Sequence, residues 1–121
     1  CELPAVCRRY GLGVIPYSPL AGGFLTGKYR KDKPLPESVR ADSAQKHMTA
    51  ENWAVLGKLE SLAKAHGKSI SQMALGWLFS RPEITAPIIG PRTIEQLNDN
   101  LGAAGLRLKA AEMEVLDKMR Q

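Results

Sequence analysis

Two short apolar runs, residues 13–17 and 86–89, limit what this chain can fold into more than any other feature. Val14 and Ile15 suit a strand buried on both faces, and Pro16, which has no N–H to give a ladder, has to stand near that strand's end or at a bulge. Ala86, Pro87, Ile88 and Ile89 form the second run, bounded by Gly90 and Pro91. Helical patterns separate the two runs, which is the βα order of an α/β protein with a parallel sheet. Two parallel strands do not complete a sheet, because each open edge leaves backbone N–H and C=O groups unpaired. The chain, residues 1–121, is therefore expected to be part of one larger domain and incomplete as given, and a first residue of Cys1 rather than Met agrees with that expectation.

Hydrophobic residues make up 44% of the chain against 24% charged, enough apolar surface to build a core, which excludes disorder as its overall state. No apolar run approaches the roughly 20 residues that cross a bilayer. Nor do the first residues show a charged segment followed by an apolar one, as a secretory leader would. The expected location is cytoplasmic, with no membrane partner. Cys1 and Cys7 fit neither a CxxC redox pair nor a zinc ligand set, so both are expected as reduced thiols and no metal site is expected. A formal net charge of +5 suits an anionic partner, whether nucleic acid, an acidic surface or a phosphorylated cofactor, and charge alone does not choose among them.

Leu3, Val6, Cys7 and Tyr10 recur at helical spacing before Gly11, so the chain opens on the end of an amphipathic helix. Residues 18–48 are rich in Gly, Pro, Lys and Asp without a sustained period and read as one loop of about 30 residues, a length that usually marks function or disorder. Thr49 then caps a helix whose buried stripe is Val55, Leu56, Leu59, Leu62 and Ala63, closed by Gly67. Ser69 and Gln72 form a capping box for the next helix, with Ile70, Met73, Ala74, Trp77 and Leu78 on its apolar face and Pro82 as its stop. Thr93 and Gln96 form a second box, with Ile94, Leu97 and Leu101 on one face. A last helix over 110–119 is expected to bury Ala111, Val115, Leu116 and Met119.

The run Tyr17, Ser18, Pro19, Leu20, Ala21, Gly22, Gly23, Phe24, Leu25, Thr26, Gly27, Lys28, Tyr29 resembles the strand-seven motif of the aldo-keto reductases, usually met as YSPLxxGxLTGKY. Residues 86–92 with Glu95, Gln96, Leu97 and Asn100 are similar to the family's strand-eight signature, and residues 71–77 to the helix between. Order and spacing agree over essentially the whole chain. The resemblance implies an α/β fold, the C-terminal portion of a (β/α)8 barrel, with NADP(H) lying across the C-terminal mouth. Ser18 and Gly90 fall just beyond the two strands, where barrels of this type place ligands and phosphates.

The same resemblance implies individual roles. Tyr17 would pack against the nicotinamide ring, and Ser18, Pro19, Leu20 and Ala21 would run beneath the pyrophosphate. Gly22 and Gly23 would let backbone approach closely. Lys28, and in the same way Arg40, would supply a cation to the phosphates. Arg92 would bind the adenosine 2′-phosphate, where guanidinium and helix dipole both favour an anion. Gln96 and Asn100, one helical turn apart, would meet the adenine with Asp99 beside them. Taken singly, these residues have plainer uses: Gln96 as a capping residue, Gly90 with Pro91 as a turn, residues 28–33 as a solvated charge run, Tyr17 and Trp77 as rim or core aromatics. Their joint occurrence in family order favours the cofactor.

The implied activity of the whole protein is that of an oxidoreductase, reducing aldehydes and ketones by hydride transfer. The family's catalytic Tyr, Lys, Asp and His belong to segments before strand five, so no residue of this chain is assigned a catalytic role and the chain alone is expected to be inactive. His47, His66, Tyr10 and Tyr29 have ordinary structural explanations. A non-catalytic NADP(H)-binding regulatory or sensor protein of the same fold stays open as the alternative. Gly22, Gly27 and Lys28 also satisfy GxxxxGK, but Tyr29 cannot replace the hydroxyl that a phosphate loop places on Mg²⁺, and Pro34 and Pro36 obstruct the helix it needs. Without an RRM, KH or helix-turn-helix signature, nucleic acid is not an expected partner. The expected partner is a small carbonyl substrate, with self-association through exposed strand edges left open.

Overall fold

The computed structural model describes residues 2–37 and 41–119. Along them run α1 (Leu3–Arg9), a 3₁₀ segment (Ala21–Thr26), α2 (Ala41–Gln45), α3 (Ala50–His66), α4 (Ile70–Phe79), α5 (Ile94–Leu101) and α6 (Ala110–Lys118). Thr49, Ser69 and Thr93 stand in extended backbone, and each hydroxyl accepts from the N–H three residues on, at Asn52, Gln72 and Gln96. Those bonds satisfy donors that the first turn of a helix leaves unpaired, which is why α3, α4 and α5 start there. At Ser69 the box is reciprocal, since Gln72 Oε1 accepts the Ser69 N–H at 3.1 Å. At Thr93 it is not: the Gln96 side chain reaches past the cap and accepts from the Arg92 N–H at 2.8 Å, correcting the second expected box by one residue. Gly67 ends α3 at φ +60°, a left-handed turn that lets the Lys68 N–H return to the Ala63 carbonyl at 2.9 Å.

The two apolar runs pair in parallel, as the βα order requires. Val14 bridges Ile84 and Tyr17 bridges Ile88. The Thr85 and Ile88 N–H groups donate to the carbonyls of Val14 and Pro16 at 2.8 and 2.9 Å, and Thr85 Oγ1 accepts from the Val14 N–H at 3.1 Å. Between the two bridges the second segment holds one residue more than the first, which makes a bulge. Pro16 and Pro87 lack the donors that would extend the ladder, so the contact stays a pair of isolated bridges. Its second partner begins at Ile84 rather than at Ala86, because Thr85 contributes both an N–H and a hydroxyl. Leu12, Ile15 and Ile88 along this contact are exposed, as are Tyr10 and, in α1, Leu3 and Val6; of α1 only Cys7 is buried.

Two apolar clusters hold the helices. Leu59 and Ala63 of α3 pack with Met73 and Ala74 of α4 and with Leu108 and Leu116, while Val55 and Leu62 border the cluster. Burying each such Leu or Met stabilises by about 1.5–3 kcal/mol. A Cβ at Gly76 would stand 2.7 Å from Leu106 Cδ2, so only glycine lets the 106–108 stretch lie against α4. Phe24, Tyr29, Ala44 and Leu56 make the second cluster, with Phe24 edge-on to Trp53 at 5.0 Å between ring centres. That cluster corrects the reading of residues 18–48 as structureless: the 3₁₀ segment and α2 form within them because Phe24, Tyr29 and Ala44 are drawn onto α3.

Polar contacts fix α6. Ser80 Oγ donates to the Gly76 carbonyl at 2.7 Å and accepts from the Leu108 N–H at 2.8 Å. The Arg81 guanidinium lies 4.2 Å from the Trp77 ring, and both side chains donate to Asp117. Glu112 accepts from the Lys109 N–H at 2.8 Å and from His66 Nε2 at 2.7 Å. Those bonds set the rotation of α6, so Leu116 is buried and Met113 packs beside it, whereas Ala111 and Val115, expected inside, are exposed. On α5 the expected apolar face is likewise open at Ile94 and Leu101.

The Glu112 carboxyl is held below its ordinary value of 4.5, first by the bond from His66 and then by the Lys109 N–H. A carboxyl depressed in the folded state contributes fully above its unfolded value, and that contribution is lost as pH falls through the lowered one. Glu112→Gln is expected to cost about 1 kcal/mol at pH 7, with the difference from wild type shrinking well below pH 4.5. Urea unfolding at both ends of that range measures it; an equal loss at both would show that the ionised form is not what joins α3 to α6.

Candidate functional site

Beyond Tyr17 the chain turns through Ser18 at φ +56° and Ala21 at φ +49°, then Gly22 and Gly23 at +65° and +96°. Ser18 and Ala21 carry a Cβ in the left-handed region, at roughly 1–2 kcal/mol each, and strain of this kind gathers where a loop's shape is over-determined. The Ala21 N–H donates to the Ser18 carbonyl at 3.0 Å and the Gly23 N–H to the Leu20 carbonyl at 2.9 Å, which closes the turn. Thr26 Oγ1 donates to the Gly23 carbonyl at 2.7 Å. At Gly22 a Cβ would meet Ser43 Oγ at 2.9 Å, so glycine admits α2 against the turn. At Gly23 it would meet Lys28 Nζ at 3.2 Å, which shows the lysine folded back over the turn. No helix follows Lys28 directly, so the GxxxxGK pattern does not open one.

A second wall begins at Gly90. The Arg92 N–H is taken by Gln96 Oε1 and the Gln96 N–H by Thr93 Oγ1 at 3.2 Å. The Glu95 carboxyl is held below the usual carboxylate range by its own backbone N–H and then by the Thr93 hydroxyl. The Arg92 and Gln96 N–H groups thus have internal partners at the start of α5. Arg92 itself is exposed and lines the cleft. Gln72 Nε2 donates to the Asp99 carbonyl at 2.8 Å, keying α5 to the first turn of α4, and Asn100 and Ser71 are buried nearby in the same wall.

The two walls enclose a cleft of about 760 Å³. Tyr17, Ser18, Pro19, Leu20, Gly22 and Lys28 line it from the turn, and Gly90, Arg92, Gln96, Asp99 and Asn100 from the α5 side. Two expected residues are not among them. Ala21 borders a separate apolar cavity of about 340 Å³ with Phe24 and Trp77, because its left-handed backbone turns it toward the Phe24 cluster. Arg40 lies outside the described residues. Lys28 and Arg92 are offset in the cleft by Glu95 and Asp99, so an anion would be drawn by placed cations rather than by a general positive field. Tyr17 is 85% exposed and presents a flat ring. His47 lines the apolar cavity, His66 bonds Glu112, and Tyr29 is wholly buried; none of the three lines the cleft.

Thr26, Ser43, Ser71, Glu95, Ile88 and Ile89 also line the cleft and were not assigned to it from the sequence. Ser71 left a signal, as the one hydroxyl on the buried side of α4. Glu95 left another, as the acidic residue two places after a capping threonine. Nothing in the irregular 18–48 stretch points to Ser43.

A model of the aldo/keto reductase family matches residues 2–121. The chain belongs to the aldo/keto reductase family. Its relatives in that family include "Uncharacterized oxidoreductase YrpG" of Bacillus subtilis, 41% identical over 95% of this chain and 34% of that protein. "Aldo-keto reductase yakc (NADP(+))" of Schizosaccharomyces pombe is 31% identical over 89% of this chain and 33% of its own length. "L-glyceraldehyde 3-phosphate reductase" of Escherichia coli is 33% identical over 92% and 34%. This aldo/keto reductase chain spans about a third of the length of these relatives. No described helix is long and apolar enough to cross a membrane.

Because one amide bonds both the Ser69 N–H and the Asp99 carbonyl, Gln72 ties the aldo/keto reductase chain's second wall to its core. Gln72→Met keeps the side chain's length and removes both bonds, at an expected cost of about 1–3 kcal/mol. Hydrogen exchange should show α5 losing protection more than α3; uniform loss along the chain would deny the amide that local role.

Proposed function

We propose that this chain forms the cofactor-binding end of a (β/α)8 barrel that reduces aldehydes or ketones with NADPH. The observation that carries the reading is the single cleft between the strained turn at residues 18–23 and the first turns of α5, each directly beyond one of two parallel extended segments. Barrel enzymes place ligands at that end of their strands. The exposed flanks at Leu12, Ile15 and Ile88 suit strands that have further neighbours. A relative carrying NADP(+) in its name supports the choice of cofactor.

The residues present fit such a group. Gly22 and Gly23 offer backbone without side chains, and a Cβ on Gly23 would displace Lys28. When bound, NADPH supplies the hydride to the carbonyl carbon. Tyr17 would offer its exposed planar ring to the nicotinamide, and Ser18 to Leu20 would offer backbone to the pyrophosphate. Lys28 would balance phosphate charge, and Arg92 would take the 2′-phosphate through its guanidinium. Gln96, whose Oε1 is already committed to the Arg92 N–H, has its Nε2 left for the adenine, beside Asp99 and Asn100. The carbonyl oxygen also needs a proton from a group within roughly 3 Å. We assign that acid to the part of the protein outside this chain.

Full-length protein is expected to prefer NADPH to NADH, with Arg92→Ala costing NADPH about 1.5–3 kcal/mol more than NADH. Titration of both cofactors measures it, and equal losses would give Arg92 to the fold alone. The chain by itself, without a placed acid, is expected to bind NADPH without reducing a carbonyl. Its NADPH oxidation with several aldehydes, run beside the full-length protein, should stay at background; turnover near the full-length rate would mean that the acid lies within these residues.

A further inference from the structure

Arg92 and Glu95 line the same cleft from the start of α5, one cationic and one anionic, and both are exposed. Among the described residues no ion pair joins them. Glu95 stands in the first turn of α5 and faces the same cleft that an anion drawn to Arg92 would enter, and the groups at the helix start favour its ionised form. The Arg92 and Gln96 N–H groups have partners already, in Gln96 Oε1 and Thr93 Oγ1. A 2′-phosphate, carrying about −1.5 to −2 charges at neutral pH, would then meet a guanidinium and a carboxylate together.

Resting on the cofactor reading above, we propose that Glu95 is a specificity-determining residue that opposes the 2′-phosphate at Arg92, so that Arg92 and Glu95 together set the preference for NADPH over NADH. The preference is therefore smaller than Arg92 alone would give. Glu51 supplies the comparison within the same molecule. It stands two residues after Thr49 as Glu95 stands two after Thr93, and its carboxyl is lowered by the same two bonds in the same order. Glu51 lies in the first turn of α3 and is not among the residues that line the cleft. If the carboxylate served only as a helix cap, the two glutamates would be equivalent.

The test uses full-length protein at pH 7 and fixed ionic strength, measuring dissociation constants for NADPH and NADH in wild type, Glu95→Gln, Glu51→Gln and Arg92→Ala. Glutamine keeps an acceptor for the backbone N–H and removes the charge. Glu95→Gln should tighten NADPH by about two- to fivefold, with NADH within about 1.5-fold and Glu51→Gln changing neither. Unchanged or weaker NADPH binding, equal shifts for both cofactors, or the same gain in Glu51→Gln would overturn the proposal. Failure of the cofactor reading looks different: Arg92→Ala would then leave the ratio of NADPH to NADH affinity at its wild-type value, or neither cofactor would bind wild type.

Discussion

Three hydrogen bonds between residues 14–16 and 85–88 fix the relation between the two halves of the site. The strained turn begins at Ser18, directly beyond Tyr17, and the second wall begins at Gly90, two residues beyond Ile88. Sliding the pairing by one residue would move one wall along the other by about 3.3 Å, more than a hydrogen bond tolerates. Proline limits the register at the Tyr17 end. Pro16 accepts from the Ile88 N–H, but neither Pro16 nor Pro87 can donate, so a slipped pairing would set a missing N–H where a bond now forms. Thr85 adds its hydroxyl to the Val14 N–H, and the bulge absorbs the extra residue.

The cleft therefore depends on contacts distant in sequence, while its walls are shaped locally. The first wall bends through residues that favour neither helix nor strand, held down from below by Phe24 and Tyr29 and from the side by Ser43. Its second wall is a short helix with an exposed apolar face, which the Gln72 amide and the buried Asn100 anchor to α4. Burial of Leu59, Met73, Ala74 and Leu116 provides the platform, but polar bonds decide where the walls stand. Bonds of this kind are worth only about 0.5–1.5 kcal/mol each, so they direct the site more than they stabilise the chain.

Helix starts were legible in the sequence because a capping hydroxyl acts within three residues. Thr49, Ser69 and Thr93 each stand where the pattern put them, and the stripe of α3 follows its period. The parallel order was legible too, but not the start of the second segment, since Ile84 and Thr85 pair only through the distant Val14. Residues 18–48 hid their order because Phe24, Tyr29 and Ala44 are spaced without a period and become a cluster only on α3. The rotation of α6 was hidden for a similar reason: His66 lies far from Glu112 along the chain, and their bond overrides the local apolar pattern. Most residues expected at the cofactor line one cleft, whereas Ala21 borders the apolar cavity instead, and its positive φ is not legible from neighbours that also include two glycines.

The start of α5 shows why a site cannot be read from its helix geometry alone. A helix end attracts anions through unpaired N–H groups and the aligned peptide dipoles behind them. Gln96 Oε1 and Thr93 Oγ1 take the Arg92 and Gln96 N–H groups internally, and Glu95 adds a full negative charge in the first turn. At α3 the same arrangement of Thr49 and Glu51 begins a helix away from the cleft. At α5 the arrangement faces the cleft, so stabilising the helix and binding a phosphate there would draw on the same donors. The local need to start a helix and a need to hold an anion would then compete, and a guanidinium outside the helix, such as that of Arg92, could serve the second without weakening the first.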